Sequence, residues 1–251
     1  RRAAAHHIRT SHDREETSLI GPAEDRFGIE PSPRFQGIDT HVLPAPGTFS
    51  RAQLAHYRRM IDTAVQLGLK PVVTLHRFTH PIWFGERGGW LGDGAVEAFS
   101  RFAEQACTIL DGVEWVCTIN EPNIVALNHG QQRRIAEGKE YQFVGALPDA
   151  EIGETLIAAH RAVAPLVREA TGAKAGWTVA KQALVPAPGW DKKHAEVQRI
   201  WEDMYLEPAR EDDFVGVQSY TRRRERHRHG RRRAQGRLHR RSPAAPARRD
   251  G

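Results

Sequence analysis

The chain of 251 residues is 39% apolar, enough for one sizeable α/β core, and no window approaches the roughly 18 apolar residues of a membrane span. Its formal charge of +6 is misplaced: residues 222–251 hold 13 of the 37 Lys+Arg and two acids, Glu225 and Asp250, for +11. The remaining 24 basic and 29 acidic residues leave 1–221 at −5, so the basic character belongs to a tail and not to a nucleic-acid-binding body.

Two cysteines, Cys107 and Cys117, make neither a disulfide framework nor a metal-site spacing. Both read as core residues in a reducing, cytoplasmic setting. The N-terminus is basic but lacks the apolar stretch of a signal peptide.

Residues 1–25 follow no period, and His6, His7 and His12 read as solvated. Arg26 to Glu30 is a short strand-like run that stops at Pro31. The stretch from Pro31 to Pro46 holds four prolines and reads as loop. Ser50 then caps a helix with Leu54, Tyr57, Ile61, Ala64, Val65 and Leu67 inward and Gly68 as its stop. The strand Pro71–His76 completes a βαβ unit.

The unit repeats along the chain. Asp93 caps a helix to about Leu110 with Val96, Phe99, Phe102, Ala103, Ala106, Ile109 and Leu110 on one face. It leads into the strand Val113–Glu121, closed by Pro122, which cannot continue a ladder. A helix from about Glu151 to Ala170, ended by Gly172, precedes the strand Ala175–Ala180. A helix near Lys192 to Met204 precedes the strand Phe214–Tyr220. The order predicts an α/β fold, a (β/α)8 TIM barrel that is incomplete, with about five of eight βα units present.

In such a barrel the strand tips face the ligand, so Asn120 and Glu121 are candidate site residues: an acid beside an amide that can read a hydroxyl. Glu121 could alternatively be a structural carboxylate, Trp90 and Trp177 core residues, and His160 a packed or solvated one. Arg26 and Tyr220 could be ordinary barrel-interior partners.

The runs Thr74-Leu75-His76-Arg77-Phe78, Gly88-Gly89-Trp90-Leu91 and Thr118-Ile119-Asn120-Glu121-Pro122, in that order, resemble family 1 of the glycoside hydrolases, the β-glucosidase family of retaining enzymes. Arg26–Glu30 and Asp213–Tyr220 are similar to its flanking motifs, so the resemblance covers about residues 26–221. It implies double displacement at an anomeric carbon, with one carboxyl group protonating the leaving oxygen while a second attacks. Glu121 would be the acid/base, with a pKa raised by the second carboxylate and by enclosure. Asn120 would bond the sugar's 2-hydroxyl, and Arg26 and Tyr220 would hold the nucleophile in place. His76, Arg77 and Trp90 would line the sugar site, although Arg77 stands where the family has His. No metal or organic cofactor is implied, and the partner implied is a small-molecule β-glycoside or oligosaccharide.

The family's nucleophile lies in a Thr-Glu-Asn-Gly-like motif, and no such tetrapeptide occurs here. Without it the covalent route has no attacking group, so this chain is expected to be inactive by itself. From Arg222 the composition switches to Arg, His, Gly, Ala and Pro, which reads as an out-of-frame or low-complexity tail. The expected organisation is an unreadable 1–25, a partial barrel over 26–221 and an Arg-rich 222–251. Two other readings stand beside the glycosidase: a carbohydrate-binding pseudoenzyme, and a protein whose tail adheres unspecifically to nucleic acid.

Overall fold

The structure, a computed structural model, describes residues 45–142, 145–185, 189 and 191–224. The strand expected at 26–30, nearly all of the proline-rich loop and most of the basic tail lie outside the described residues.

The first helix, α1 (Arg51–Gln66), starts where Ser50 accepts a bond from the Gln53 N–H at 3.3 Å. Ile61 and Ala64 are buried, and Leu54 and Tyr57 pack against the core. Val65 and Leu67, expected inward, are exposed, Leu67 standing outside the helix at its C-cap. Strand β1 (Val72–His76) follows, then the short helix α2 (Ile82–Glu86) and a 3-10 turn at Gly89–Leu91.

Helix α3 (Ala95–Cys107) buries Phe99, Phe102, Ala103 and Ala106 as its period predicts. Its N-cap is Gly94 in the left-handed region, not Asp93, which stands one residue too early to cap. Strand β2 (Trp115–Asn120) is buried at all but its first residue. The proline that ends β2 also begins helix α4 (Pro122–Ala136), a helix the sequence period did not announce. Proline suits a first helical position because the N–H it lacks would have had no partner there.

Helix α5 (Ala150–Thr171) is capped by Asp149, which accepts from the Glu151 and Ile152 N–H groups, and it ends at Gly172 with φ 70°. Strand β3 (Lys174–Val185) runs five residues beyond its expected end. The helix expected at 192–204 is broken: α6 (Asp191–Gln198), a wide π turn at Arg199–Asp203, then α7 (Met204–Leu206). The wider turn carries Trp201 and Glu202 into the interior, where both are buried. After a 3-10 turn at Pro208–Glu211 comes β4 (Phe214–Arg224).

The strands form one parallel sheet in the order β1-β2-β3-β4, each joined to the next by helical crossovers. Parallel pairing needs such crossovers, and their helices supply the apolar face that the sheet buries. The pairing of β4 with β3 continues through Arg224 opposite Val185, past the point where the composition changes. A ladder needs only backbone N–H and C=O groups, so a change of side chains does not by itself end it.

One irregularity decides the geometry of the tip. Between Cys117 and Asn120, β2 advances three residues while β3 advances two, from Gly176 to Thr178. The extra residue reverses the alternation of side chains beyond it. Thr118 therefore bonds His160 of α5 on the helix side, while Asn120 bonds Thr178 and Gln218 on the other side.

Candidate active site

The site is built at the C-terminal ends of the parallel strands. Asn120 is the last residue of β2 and is 8% exposed. Its Oδ1 accepts from Gln218 Nε2 at 2.6 Å and from the Thr178 hydroxyl at 3.0 Å. Glu121 follows at the start of α4, 6% exposed, in the left-handed region with φ 48°. An L-residue there is strained by roughly 1–2 kcal/mol. Thr178 holds it, its carbonyl accepting the Glu121 N–H at 2.9 Å and its hydroxyl at 3.2 Å, while the Glu121 carbonyl accepts from Ile124 and Val125.

Phe78, two residues past the end of β1, also has a positive φ, 63°. These are the two non-glycine residues with positive φ among those described, and both stand just beyond strand tips. Backbone strain concentrated at strand ends is what a functional rim shows.

Asn123 fastens the base of the tip. It is fully buried, donates to the Ala180 and Trp201 carbonyls at 2.7 and 3.0 Å, and accepts from the Ala180 N–H at 3.2 Å. The first turn of α4 is thereby tied to β3 and to the π turn. A polar residue directly after Glu121-Pro122 was the sequence signal for it.

His76 ends β1 and pairs in register with Ile119, which places the β1 and β2 tips side by side. It is 2% exposed, with its ring edge-on to Trp90 at 5.2 Å and to Phe99 at 6.1 Å. Trp90 is buried against His76, Phe84 and Phe99, in a small aromatic cleft behind the rim. Arg77 is half-buried, its guanidinium 5.9 Å from the Phe78 ring centroid. Tyr220 lies on β4, and Arg26 falls outside the described residues. The structure thus brings Asn120 and Glu121 together with Thr178 and Gln218, and places His76, Arg77 and Trp90 around the neighbouring β1 tip.

His80, in the loop after β1, and His129 of α4 lie 4.8 Å apart between ring centroids. Burial, with His76 nearby, holds His80 down to about 4; burial, with His80 and His76 nearby, holds His129 down to about 3. Both rings are therefore neutral near pH 7.

Two other polar groupings belong to the framework. His160 accepts or donates at Nδ1 to the Thr118 hydroxyl at 2.7 Å, approaches Asp212 at 2.9 Å, and stacks on Trp177 at 4.1 Å. It resembles a hydroxyl–imidazole–carboxylate relay, but Thr118 and His160 are buried on the helix side of β2, opposite to Asn120. Glu202 is fully buried and bonded by Lys181, by the Gln182 N–H and by Gln198. Three donors fill that carboxylate, which ties the π turn to β3. Both cysteines are buried, with burial raising Cys107 to about 11 and Cys117 to about 12. Among the described residues no three His, Cys, Asp or Glu could hold a metal ion, and no helix is long and apolar enough to cross a membrane.

A parallel α/β half-barrel with an acid and an amide at a strand tip defines a class of barrel, and comparison with known proteins gives the family. The profile of Glycosyl hydrolase family 1 matches residues 34–232, and the chain belongs to that family. The human cytosolic beta-glucosidase is 34% identical over 98 residues, 38% of this chain and 21% of that protein. Beta-glucosidase A of Enterobacter agglomerans is 29% identical over 119 residues, 47% of this chain and 25% of that protein. The crystal structure of beta-glycosidase BGL167 superposes with a TM-score of 0.61 at 29% identity, covering 74% of this chain and 50% of that one. The match thus spans half the length of that structure and a fifth to a quarter of those two relatives. The fold is the (β/α)8 barrel in part, as expected, with four of its strands among the described residues.

Proposed function

We propose that this chain carries the proton-donating half of a retaining β-glycosidase site, acting on terminal β-linked sugars such as β-glucosides. The observation that carries the reading is Glu121 itself: an enclosed, strained carboxyl-bearing residue at the tip of a parallel strand, beside a fixed amide. A proton donor to a bound glycoside needs a carboxyl group held at the rim of the sugar site, and Glu121 stands at a strand tip with its backbone fixed by Thr178. In the first step the anomeric C–O bond breaks, the departing oxygen takes the Glu121 proton, and a nucleophile attacks the anomeric carbon. Asn120 would donate to the 2-hydroxyl, where contacts tighten as positive charge develops on the ring. His76, Arg77 and Trp90 would form the flank of the sugar site, and Arg26 and Tyr220 would orient the attacking carboxylate. That carboxylate belongs to a motif this sequence does not contain, so the reaction by this chain alone needs an external nucleophile. A cytoplasmic setting is part of the proposal, supported by two buried free thiols and by relatives named as cytosolic.

Turnover of a chromogenic β-glucoside tests the reading, measured with and without azide as the attacking anion. Release should depend on azide and fall at least about a hundredfold in Glu121→Gln, the usual worth of a general acid. Equal rates in both proteins would remove Glu121 from the chemistry. A sugar that binds with no azide-dependent release would favour the carbohydrate-binding reading instead.

A further inference from the structure

We infer that Gln218 and Thr178 are positioning residues that fix which end of the Asn120 amide faces a bound sugar, and so make the site a reader of a hydroxyl acceptor at C2. This rests on the proposed role of Asn120 as a sugar contact.

The network is anchored by the backbone N–H of Glu121 and by the side-chain amide of Gln218. The Glu121 N–H donates to the Thr178 carbonyl and hydroxyl at 2.9 and 3.2 Å. The Thr178 oxygen also lies 3.2 Å from Gln218 Nε2. A hydroxyl has one proton and two lone pairs. The Thr178 hydroxyl gives its proton to Asn120 Oδ1 at 3.0 Å, with the Cys117 thiol as a further neighbour of the same side chain. The Asn120 atom that receives that proton is the amide oxygen. Gln218 Nε2, 2.6 Å from the same atom, supplies a second donor. Two donors on Oδ1 leave no place there for the NH2 group, so Nδ2 is the end left to contact a ligand.

The arrangement spans three strands. Asn120 ends β2, Thr178 is on β3 and Gln218 on β4, and the bulge in β2 turns Asn120 toward the other two. Deleting Gln218 removes the shorter of the two bonds, and replacing its amide by a carboxylate puts an acceptor where Asn120 now meets a donor. The amide would then rotate, giving Nδ2 to the new carboxylate and turning Oδ1 to the sugar.

Calorimetric binding of glucose, 2-deoxyglucose and 2-deoxy-2-fluoroglucose to the full chain, Gln218→Leu and Gln218→Glu tests this, with thermal denaturation of each protein alongside. Fluorine accepts weakly and cannot donate, so it separates the two orientations of the amide. The unmodified chain should prefer glucose to 2-deoxyglucose about tenfold, the worth of one hydrogen bond, and should bind the fluoro sugar at least as well as the deoxy sugar. In Gln218→Leu the preference for glucose should shrink toward unity. In Gln218→Glu the fluoro sugar should become the weakest of the three, a reversal that loss of packing alone would not give. An unchanged order in both variants overturns the inference while leaving the glycosidase reading intact. Binding without any preference at C2 overturns the assignment of Asn120, and absence of sugar binding by the unmodified chain overturns the glycosidase reading together with it.

Discussion

Glu121 combines two properties at one residue, a buried carboxyl group and a left-handed backbone. Glycine adopts that backbone without strain, so Glu121→Gly should stabilise the protein by about 1 kcal/mol in denaturant unfolding while abolishing azide-dependent turnover. A loss of stability would mean that the Glu121 side chain, not the chemistry it serves, is what the fold requires. The histidine pair gives a pH prediction. Both folded pKa values lie below the ordinary value near 6.5, so the unfolded chain takes up protons that His80 and His129 refuse in the fold. Their contribution is complete above about pH 6.5 and is lost as pH falls toward 4 and then 3, by up to about 1.4 kcal/mol per pH unit for each. In His129→Gln the acid limb of stability against pH should flatten, and an unaltered limb would show that this pair does not set it. The candidate acid and its amide were legible as residues, because a polar pair ending an apolar strand is a pattern in sequence. Thr178 and Gln218 were not, since they lie 58 and 98 positions from Asn120 and only the parallel register brings them there.

The elements were readable where a side-chain period or a cap defines them and unreadable where backbone geometry does. Helices α3 and α5 and strands β1 and β2 stand close to where the apolar period puts them, while β3 and β4 begin there and run on past their expected ends. Helix α4 begins on the proline that closes β2, so one residue carries two opposite signals and only the strand stop was recognised. The bulge in β2 and the π turn at Arg199–Asp203 each add a residue to a regular pattern, and neither has a compositional mark. Close packing between β3 and β4 yields a sharper test. A Cβ added at Gly176 would stand 2.1 Å from the Phe214 carbonyl oxygen, a backbone atom with little freedom to retreat. Gly176→Ala should therefore cost about 3 kcal/mol or more and separate the two strands. Gly172→Ala, in open space but with φ 70°, should cost only about 1 kcal/mol. Similar losses in thermal unfolding of the two variants would contradict the packing described here.

At the scale of the molecule, four parallel strands form one open sheet among the described residues. Val215 and Val217 of β4 are 37% and 51% exposed, although their register partners on β3, Trp177 and Val179, are buried under the helix layer. Exposed apolar residues on a strand at the edge of the described sheet favour association and lower cooperativity. The isolated chain should therefore unfold broadly and bind an apolar dye before heating, whereas a sharp transition of a soluble monomer would show that other residues cover this face. In the proposed reaction Glu121 at a strand tip is the acid and the attacking group comes from another source, and this is the part of the proposal most open to test. Proton NMR of the anomeric product formed from a β-glucoside and azide tests it most directly. A single displacement by azide should give the α-glucosyl azide, with its formation dependent on Glu121. A β-glucosyl azide, or glucose released without azide, would show that the chain supplies its own nucleophile and would contradict the claim.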